Sequence, residues 1–309
     1  MNKETLRGWI IAIRLRTLPL SLSGIIIGSA LSYANKNLNI VVLILTFLTA
    51  LLLQILSNVA NDYGDSVWGA DNSSRRGPQR ATQMGLISHR KIKLGIIFLV
   101  LLSLISGITL ILAAGDFHFN AFSFYKIYLP FLILGLLAIA AAILYTNGKK
   151  PYGYVGLGDI FVFIFFGIIG VAGTYYLHNK NINVDILLPS IAVGLLSVSV
   201  LNLNNIRDME SDVAAHKYSI PVRLGRIKAL IYHYILLFLP FILMSIFFAF
   251  RTYSILSYIF ILSLPLFISN ALSVKKYSEP NLLDPLMKKL SLSILLFVLL
   301  CSISIVLSV

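Results

Sequence analysis

The sequence predicts an all-α, multi-pass membrane protein with about nine transmembrane helices. Of its 309 residues, 58% are hydrophobic and only 12% are charged, which is roughly half the charged fraction of a soluble domain. The apolar residues also gather into runs of about 20, the length of a helix that crosses a bilayer. These runs lack the alternation of barrel strands, so helices are the structure that can span the membrane.

Nine apolar runs can be placed along the chain. They lie at 17–34, 40–60, 93–114, 127–146, 157–177, 186–203, 229–249, 253–272 and 290–309. Arg7, Arg14 and Arg16 precede the first run, and no small-residue cleavage site follows before the next helix. We therefore expect a retained first helix and not a signal peptide.

The basic residues predict how the helices are oriented. The chain has 25 Lys and Arg residues and a net charge of +13. If the N-terminus is cytosolic, 21 of the 25 fall in cytosolic segments. The four external ones are Lys36, Lys126, Lys180 and Arg251. This asymmetry follows the positive-inside rule and places the C-terminus outside. The excess charge therefore indicates membrane orientation, and we expect no nucleic-acid partner.

The twelve acidic residues are concentrated in one region. None lies in the middle of an apolar run, which counts against a proton-coupled transporter, since intramembrane acids usually mark proton pathways. Seven cluster at the predicted cytosolic ends of helices 2, 5 and 6: Asp62, Asp65, Asp71, Asp159, Asp208, Glu210 and Asp212.

Two of these acidic stretches resemble each other. SNVANDYGDSVWGADNSSRRGPQR (57–80) follows helix 2, and LNLNNIRDMESDVAAHKYSIPVRLG (201–225) follows helix 6. Each has Asn before Asp, a second Asp three or four residues later, and then cationic residues and Gly. Matching motifs at helices 2 and 6 predict two parallel, four-helix-like repeats around a central cavity, with a ninth helix added.

The spacing predicts paired carboxylates on one helical face. Asp62 and Asp65 are three positions apart, and Asp208 and Asp212 are four apart. Such carboxylates repel unless a cation lies between them, and hard oxygen ligands favour Mg²⁺, which often completes its shell with phosphate oxygens. Adjacent Arg and Lys residues suit the remaining phosphate charge. We expect a site for a magnesium-bound diphosphate; a solvated loop at the membrane surface is the alternative for either stretch alone.

At these residues the chain resembles the UbiA superfamily of intramembrane aromatic prenyltransferases, which have nine transmembrane helices and two aspartate-rich motifs at helices 2 and 6. The resemblance implies that residues 1–309 form a single intramembrane prenyltransferase domain. The extended first motif, NDYGDSVWGAD, is similar to that of the enzymes that prenylate 1,4-dihydroxy-2-naphthoate in menaquinone biosynthesis. So are GPQRATQMGLIS (77–88) and LYTNGKKPYGYVGLGDIFVFIFFG (144–167).

The resemblance also assigns roles to residues. It implies Mg²⁺ as the cofactor, with ligands or their supporting residues at Asp62, Asp65, Asp71, Asp208 and Asp212. It implies diphosphate-binding roles for Asn61, Arg80, Lys150, Asn205, Arg207 and Lys217. The family usually has Gly before the last of these lysines, where this chain has His216.

The loop between helices 4 and 5 completes the expected site. The predicted catalytic residues are Asp65, Tyr145, Lys150, Asp159 and Asp208. A carboxylate at Asp159 is favoured by the helix dipole, and a simple helix cap is the alternative. The rings of Tyr63, Tyr145 and Tyr152 are candidates to shield a carbocation, with an interfacial or packing role as the alternative.

The resemblance implies transfer of a polyprenyl group from polyprenyl diphosphate to 1,4-dihydroxy-2-naphthoate with loss of CO₂. The partners would be these two substrates and the lipid bilayer of the cell (inner) membrane, with the active site facing the cytosol. Lys150 has two candidate partners, the diphosphate and the acceptor carboxylate. Two other functions stay open: prenylation of another aromatic acceptor such as 4-hydroxybenzoate, and transport through a magnesium-gated membrane protein.

Overall fold

A computed structural model describes residues 3–67, 79–251 and 255–307. Over these ranges every regular element is helical, and nine helices are long and apolar enough to cross a membrane. They are α1 (Lys3–Ala34), α2 (Ile40–Val67), α3 (His89–Ala114), α4 (Ala121–Leu144), α5 (Gly158–Asn179), α6 (Val184–Arg207), α7 (Arg226–Ala249), α8 (Ile255–Lys276) and α9 (Pro280–Leu307). The predicted all-helical class and the nine spans are confirmed.

Helix α2 extends beyond the apolar run that predicts it. The run ends at residue 60, whereas the helix continues to Val67 and carries the first aspartate motif. Asn58, Asn61, Asp62 and Asp65 are all buried. Buried polar groups need hydrogen-bond partners, and neighbouring segments provide them here. The polar end of α2 is therefore part of the packed protein and not a solvated loop.

Several helices change geometry just before a proline. Helix α1 is interrupted at Arg14, whose φ of 54° is left-handed, and by the 3₁₀ turn Leu15–Thr17. A regular helix then restarts with Pro19 in its first turn. Pro130 in α4 and Pro265 in α8 occupy the same position after a π-helical and a 3₁₀ stretch, respectively. Proline has no backbone N–H, so it is favoured in a first turn, whereas in a helix interior, as at Pro240 in α7 and Pro285 in α9, it removes a backbone hydrogen bond.

The apolar core is centred on α6 and α9. Helix α6 packs against α5 and α7, and α9 packs against α1, α6 and α8. In the other half, α2 packs against α3 and α4. The pairing of α2 with α3 corresponds to that of α6 with α7, as two parallel repeats would require. Helix α9 joins the halves through its contact with α1.

Glycines set how closely the helices approach near the motifs. A Cβ on Gly64 would lie 2.4 Å from Thr146 Oγ1, so glycine lets the motif end of α2 contact the chain that follows α4. A Cβ on Gly167 would lie 2.5 Å from the Cα of Gly194, which brings α5 against α6 in the same way. Small residues at such contacts are typical of membrane helices, whose association depends on close packing.

Candidate active site

The described part of the first motif, which includes Asn61, Asp62 and Asp65, occupies the last turns of α2. The Asp65 carboxylate accepts a hydrogen bond from the Tyr154 hydroxyl (2.9 Å) and forms an ion pair with Arg80. The Asp62 carboxylate accepts hydrogen bonds from the backbone N–H groups of Ala81 (3.1 Å) and Thr82 (3.2 Å). Asp62 therefore holds the segment that carries Arg80, and Asp65 faces that arginine.

Two arginines connect the first motif to its surroundings. Arg80 donates a hydrogen bond to the Asn61 carbonyl (2.7 Å), and Arg14 donates one to Asn61 Oδ1 (2.8 Å). Because Arg14 occupies the break in α1, the first helix contributes a cation to the motif. Charge-assisted hydrogen bonds of this kind are stronger than neutral ones, so the bond from Arg14 fixes the orientation of the Asn61 side chain.

The second motif begins where α6 ends. Asp208 follows the last residue of α6, and the Asp212 N–H donates to the Asp208 carbonyl (2.8 Å), so the two residues lie one helical turn apart. The Asp212 carboxylate accepts hydrogen bonds from Lys217 Nζ (3.1 Å) and from the Ser219 hydroxyl (3.3 Å). The second motif thus repeats the arrangement of the first, with a buried carboxylate paired to a cation.

The turn between Asp212 and Lys217 keeps a glycine-like backbone without glycine. His216 has a φ of 53°, in the left-handed region that favours glycine. The Lys217 N–H closes the turn on the Asp212 carbonyl (2.8 Å). Although His216 replaces the usual glycine, the turn still places Lys217 beside the Asp212 carboxylate.

A chain of ion pairs links the second motif to α1 and α9. Arg207 donates through Nε (2.7 Å) and Nη2 (2.6 Å) to the two oxygens of Asp208. Its Nη1 donates to Asp284 Oδ1 (2.6 Å), and Arg16 Nη1 donates to both oxygens of Asp284 (3.0 and 3.1 Å). Only 2% of the Arg207 side chain is exposed. A guanidinium this deeply buried requires the two carboxylates as counter-charges.

Both motifs open on one cavity of about 690 Å³. Its charged end is lined by Arg14, Arg16, Asp62, Asp65, Arg80, Arg207, Asp208, Asp212 and Lys217. The remaining wall is formed by residues from each of the helices α1 to α6, and these are mainly Leu, Ile, Ala, Gly and Phe. A cavity that is charged at one end and apolar along its length fits a ligand with an anionic head and a hydrocarbon tail.

Aromatic rings form part of the cavity wall next to the charged end. The Tyr152 ring stacks on Phe161, with 4.1 Å between centroids, and meets the Tyr145 ring edge-on at 5.3 Å. Phe165 extends this row beyond Phe161. Burial raises the pKa of the Tyr145 hydroxyl, so the phenol is neutral. The faces of such rings attract a cation.

The donor set fits a divalent cation that shares its ligands with a phosphate group. Among the described residues, no group of three His, Cys, Asp or Glu side chains would hold a metal unaided, but Mg²⁺ needs only one or two carboxylates when phosphate and water complete its shell. Burial raises the pKa of Asp212 despite Lys217, and the nearby Asp208 and Asp65 raise it further. Asn205 Oδ1 is also buried, and it has no hydrogen-bond partner among the residues that the structure describes. A cation beside Asp212 would relieve the first of these conditions.

Most residues predicted for the site meet at the cavity. Those that line it are Asn61, Asp62, Asp65, Arg80, Tyr145, Arg207, Asp208, Asp212 and Lys217. Asn205 is buried beside the second motif but is not among the lining residues. Asp71 lies outside the described residues. Asp62 lines the cavity, yet its carboxylate is engaged by backbone N–H groups, which favours the supporting role over that of a ligand.

Three predicted residues are not brought to the cavity. Lys150 is exposed in the turn that follows α4. Asp159 accepts a hydrogen bond from the Tyr232 hydroxyl (3.0 Å) and so contacts α7. Tyr63 packs edge-on against His89 at 6.0 Å. Their roles in the reaction stay predictions, and this geometry does not support them.

The structure adds site residues that the motifs do not include. They are Arg14, Arg16, Tyr154 and Asp284. In the sequence the two arginines count only as charges that orient the first helix. Asp284 has no such signal in the sequence; in the structure it lies three and seven positions before Met287 and Ser291, which line the cavity. Tyr154 lies in the α4–α5 loop, whose conformation has no periodic pattern.

Comparisons with known proteins agree with this geometry. The UbiA prenyltransferase family model matches residues 21–299. A Haemophilus influenzae protein named 1,4-dihydroxy-2-naphthoate octaprenyltransferase is 44% identical over 304 residues, which cover 98% of this chain and 96% of the relative. An Escherichia coli protein of the same name is 40% identical over 287 residues, covering 92% and 90%.

A solved structure has the same fold. The structure of a UbiA homolog from Archaeoglobus fulgidus bound to DMAPP and Mg²⁺ has a TM-score of 0.58 and 19% sequence identity, and the match covers 96% of this chain and 99% of that one. Together with the family match over most of the sequence, this similarity leads to one conclusion. The chain belongs to the UbiA prenyltransferase family.

Proposed function

We propose that this protein transfers a polyprenyl group from a polyprenyl diphosphate to 1,4-dihydroxy-2-naphthoate in a Mg²⁺-dependent reaction. The observation that carries the proposal is the meeting of both aspartate motifs at the charged end of a largely apolar cavity of about 690 Å³. The acceptor is supported by the names of the two relatives that are 44% and 40% identical. Magnesium is supported by the carboxylate-rich donor set and by the ion in the Archaeoglobus structure.

The charged end of the cavity binds the diphosphate head. We assign Asp65, Asp208 and Asp212 to the metal, and Mg²⁺, when bound, neutralises the diphosphate as negative charge develops on it. Arg80 and Lys217 are paired with Asp65 and Asp212. Both cations line the cavity beside those carboxylates and would bind the diphosphate oxygens.

The aromatic wall receives the prenyl group. As the bond between C1 and the diphosphate oxygen breaks, the allylic cation lies against the faces of Tyr145, Tyr152 and Phe161, which stabilise positive charge. The surrounding apolar side chains exclude water that would capture the cation. A carbon of the electron-rich naphthoate ring then forms the new C–C bond, and the carboxyl group leaves as CO₂. The product is the quinol form of demethylmenaquinone, which gives demethylmenaquinone on oxidation.

Lys150 keeps two proposed partners, the diphosphate and the acceptor carboxylate. Measuring KM for both substrates in Lys150→Ala separates them. A rise confined to the naphthoate identifies pairing with its carboxylate, and a rise confined to the prenyl diphosphate identifies pairing with phosphate. Unchanged constants would match the exposed position of this lysine in the structure and would remove it from the site.

We further propose that residues 1–309 form one domain in the cell membrane, with a cytosolic N-terminus and an external C-terminus. The described residues of both motifs and the break in α1 lie at helix ends that the charge pattern predicts to be cytosolic, the side on which 21 of the 25 Lys and Arg residues are expected. The positive-inside rule then supports a cavity that opens toward the cytosol, where charged diphosphates are soluble.

The decisive experiment compares acceptors. Purified protein in lipid nanodiscs is incubated with Mg²⁺, a polyprenyl diphosphate and either 1,4-dihydroxy-2-naphthoate or 4-hydroxybenzoate, and products are identified by mass. We expect a naphthoate product that has gained the prenyl group and lost CO₂. If 4-hydroxybenzoate is prenylated and the naphthoate is ignored, the acceptor assignment is wrong and the family reaction stands. If the protein in liposomes transports a solute but forms no prenylated product, the alternative function, a magnesium-gated transporter, is supported.

A further inference from the structure

A carboxylate on the last transmembrane helix lies just outside the cavity wall. Asp284 in α9 accepts hydrogen bonds from Arg207 Nη1 at 2.6 Å and from Arg16 Nη1 at 3.0 Å. Both arginines line the cavity, and so do Met287 and Ser291 on the same helix, whereas Asp284 is not among the lining residues. Asp284 can therefore influence a bound ligand only through the two arginines.

We propose that Asp284 is a positioning residue for the metal–diphosphate site, an inference that rests on the proposed function. It holds Arg16 and Arg207 on the cavity wall. It also offers Arg207 a second carboxylate to bind when Asp208 turns to a cation. Residues of the ninth helix thereby control how readily the second motif accepts metal.

The contacts of Arg207 are the reason that a second carboxylate matters. Its Nε and Nη2 occupy the two oxygens of Asp208 at 2.7 and 2.6 Å, and these oxygens must be freed, at least in part, for a metal. Only 2% of the Arg207 side chain is exposed, so water cannot take the place of Asp208. A buried guanidinium gives up one anion only if another balances its charge. Asp284 is already in contact with Nη1 and serves as that anion.

A purely structural role, in which Asp284 ties α9 to the bundle, is the alternative. Helix α9 is held by an apolar face, since Leu283, Leu290, Ile294 and Phe297 are fully buried against α1, α6 and α8. Loss of the two ion pairs that Asp284 makes, with Arg16 and Arg207, would leave these contacts in place. The two roles therefore differ in their consequence for metal binding, which only the positioning role predicts.

The test measures metal binding without the prenylation reaction. Wild-type protein and Asp284→Asn are titrated with Mn²⁺ in the presence of inorganic diphosphate, and free Mn²⁺ is followed by electron paramagnetic resonance. We expect the Kd for Mn²⁺ to rise about tenfold in the variant, the effect of losing one charge-assisted hydrogen bond. The KM for the prenyl diphosphate should rise with it, and the KM for the aromatic acceptor should not.

Asp185→Asn is the matched control. Asp185 forms an ion pair with Arg251 (2.5 Å) at the opposite end of the bundle, and its side-chain exposure of 34% is close to the 27% of Asp284. The same change of charge is made there, away from the cavity. We expect its Mn²⁺ affinity to equal that of the wild type. If Asp284→Asn binds Mn²⁺ as tightly as this control does, Asp284 only tethers the helix and the proposal is wrong.

A double variant separates positioning from net charge. Arg16→Gln combined with Asp284→Asn has the net charge of the wild type, and it is also the variant to measure if Asp284→Asn is not recovered folded. If charge alone mattered, Mn²⁺ affinity would return to the wild-type value and overturn the proposal. Positioning predicts that binding stays weak, because Arg207 still has no second carboxylate. If Asp284→Asn binds Mn²⁺ weakly but the wild type prenylates no acceptor, the proposed reaction is refuted and the positioning role of Asp284 stands.

Discussion

At the residue scale, Asp65 and Asp208 provide the sharpest test of the site. Each is buried and paired with an arginine at the cavity. We expect Asp65→Ala and Asp208→Ala each to lower kcat by roughly a thousandfold, the effect of removing one preorganised electrostatic group. Turnover with a polyprenyl diphosphate checks this, and EDTA should abolish wild-type activity. Normal turnover in either variant, at normal expression, would contradict the assignment of that aspartate to the metal.

Asp62 should behave differently from its neighbour, because its carboxylate binds the backbone of Ala81 and Thr82. In Asp62→Asn an amide donor would face those N–H groups, at a cost of about 1–3 kcal/mol for the acceptor that is lost. We expect faster hydrogen exchange at both amides and an activity loss that added Mg²⁺ does not restore. Activity that recovers at high Mg²⁺, with unchanged exchange, would make Asp62 a ligand.

How much of the site the sequence predicts depends on the range of each contact. The paired aspartates and the basic residues near them are close in the chain, so spacing and chemistry together identify them. Asp284 lies 77 positions from Arg207 and 268 from Arg16, and no local pattern connects residues so far apart. Lys150 is a different case, because a basic residue in a glycine-rich loop is a candidate partner for a ligand, and its exposed position leaves that role a prediction.

At the scale of helices, hydropathy predicts where each span lies but not how it ends. The polar end of α2 is helical because its side chains are paired with neighbours, and an average over apolar residues cannot detect that. The break in α1 is similar, because Pro19 marks a restart but does not reveal that Arg14 becomes left-handed. The polar end of α2 and the break in α1 both contribute residues to the site, and departures from regular local structure are expected at functional sites.

The contact of α2 with the chain after α4 is predicted to tolerate no side chain at Gly64. A methyl group there would meet Thr146 Oγ1 at 2.4 Å, and overpacking of this kind costs about 1–3 kcal/mol. Gly64→Ala should therefore lower the thermal unfolding temperature. Gly135→Ala is the control for unfolding, since its new methyl would have no atom within 4 Å. Equal unfolding temperatures in the two variants would show that Thr146 can move to make room for the added methyl group at position 64.

At the scale of the whole molecule, the charge distribution predicts the orientation. If the N-terminus is cytosolic, 21 of the 25 cationic residues fall on the cytosolic side, so a reporter inserted at Lys149 should be cytosolic and one inserted at Asp116 should be external. The reason is the energetic bias against moving Lys and Arg across the membrane. Reporter activity in intact cells and after permeabilisation distinguishes the two sides. The reverse pattern would place the cavity opening outside, away from cytosolic substrates.

The link from Arg16 through Asp284 to Arg207 joins the first and last helices of the bundle, and it ties function to the order of synthesis. The ribosome makes α9 after α1 to α8, so Arg207 has Asp208 but lacks its second carboxylate, Asp284, until α9 is present. A chain that ends at Lys276 should insert but bind Mn²⁺ and diphosphate weakly, and residues 277–309 supplied as a separate chain should restore binding. Tight binding by the truncated chain would contradict this. If the truncated chain binds weakly as expected, metal binding depends on α9 being in place, since a chain interrupted before α9 leaves the buried Arg207 with one carboxylate instead of two.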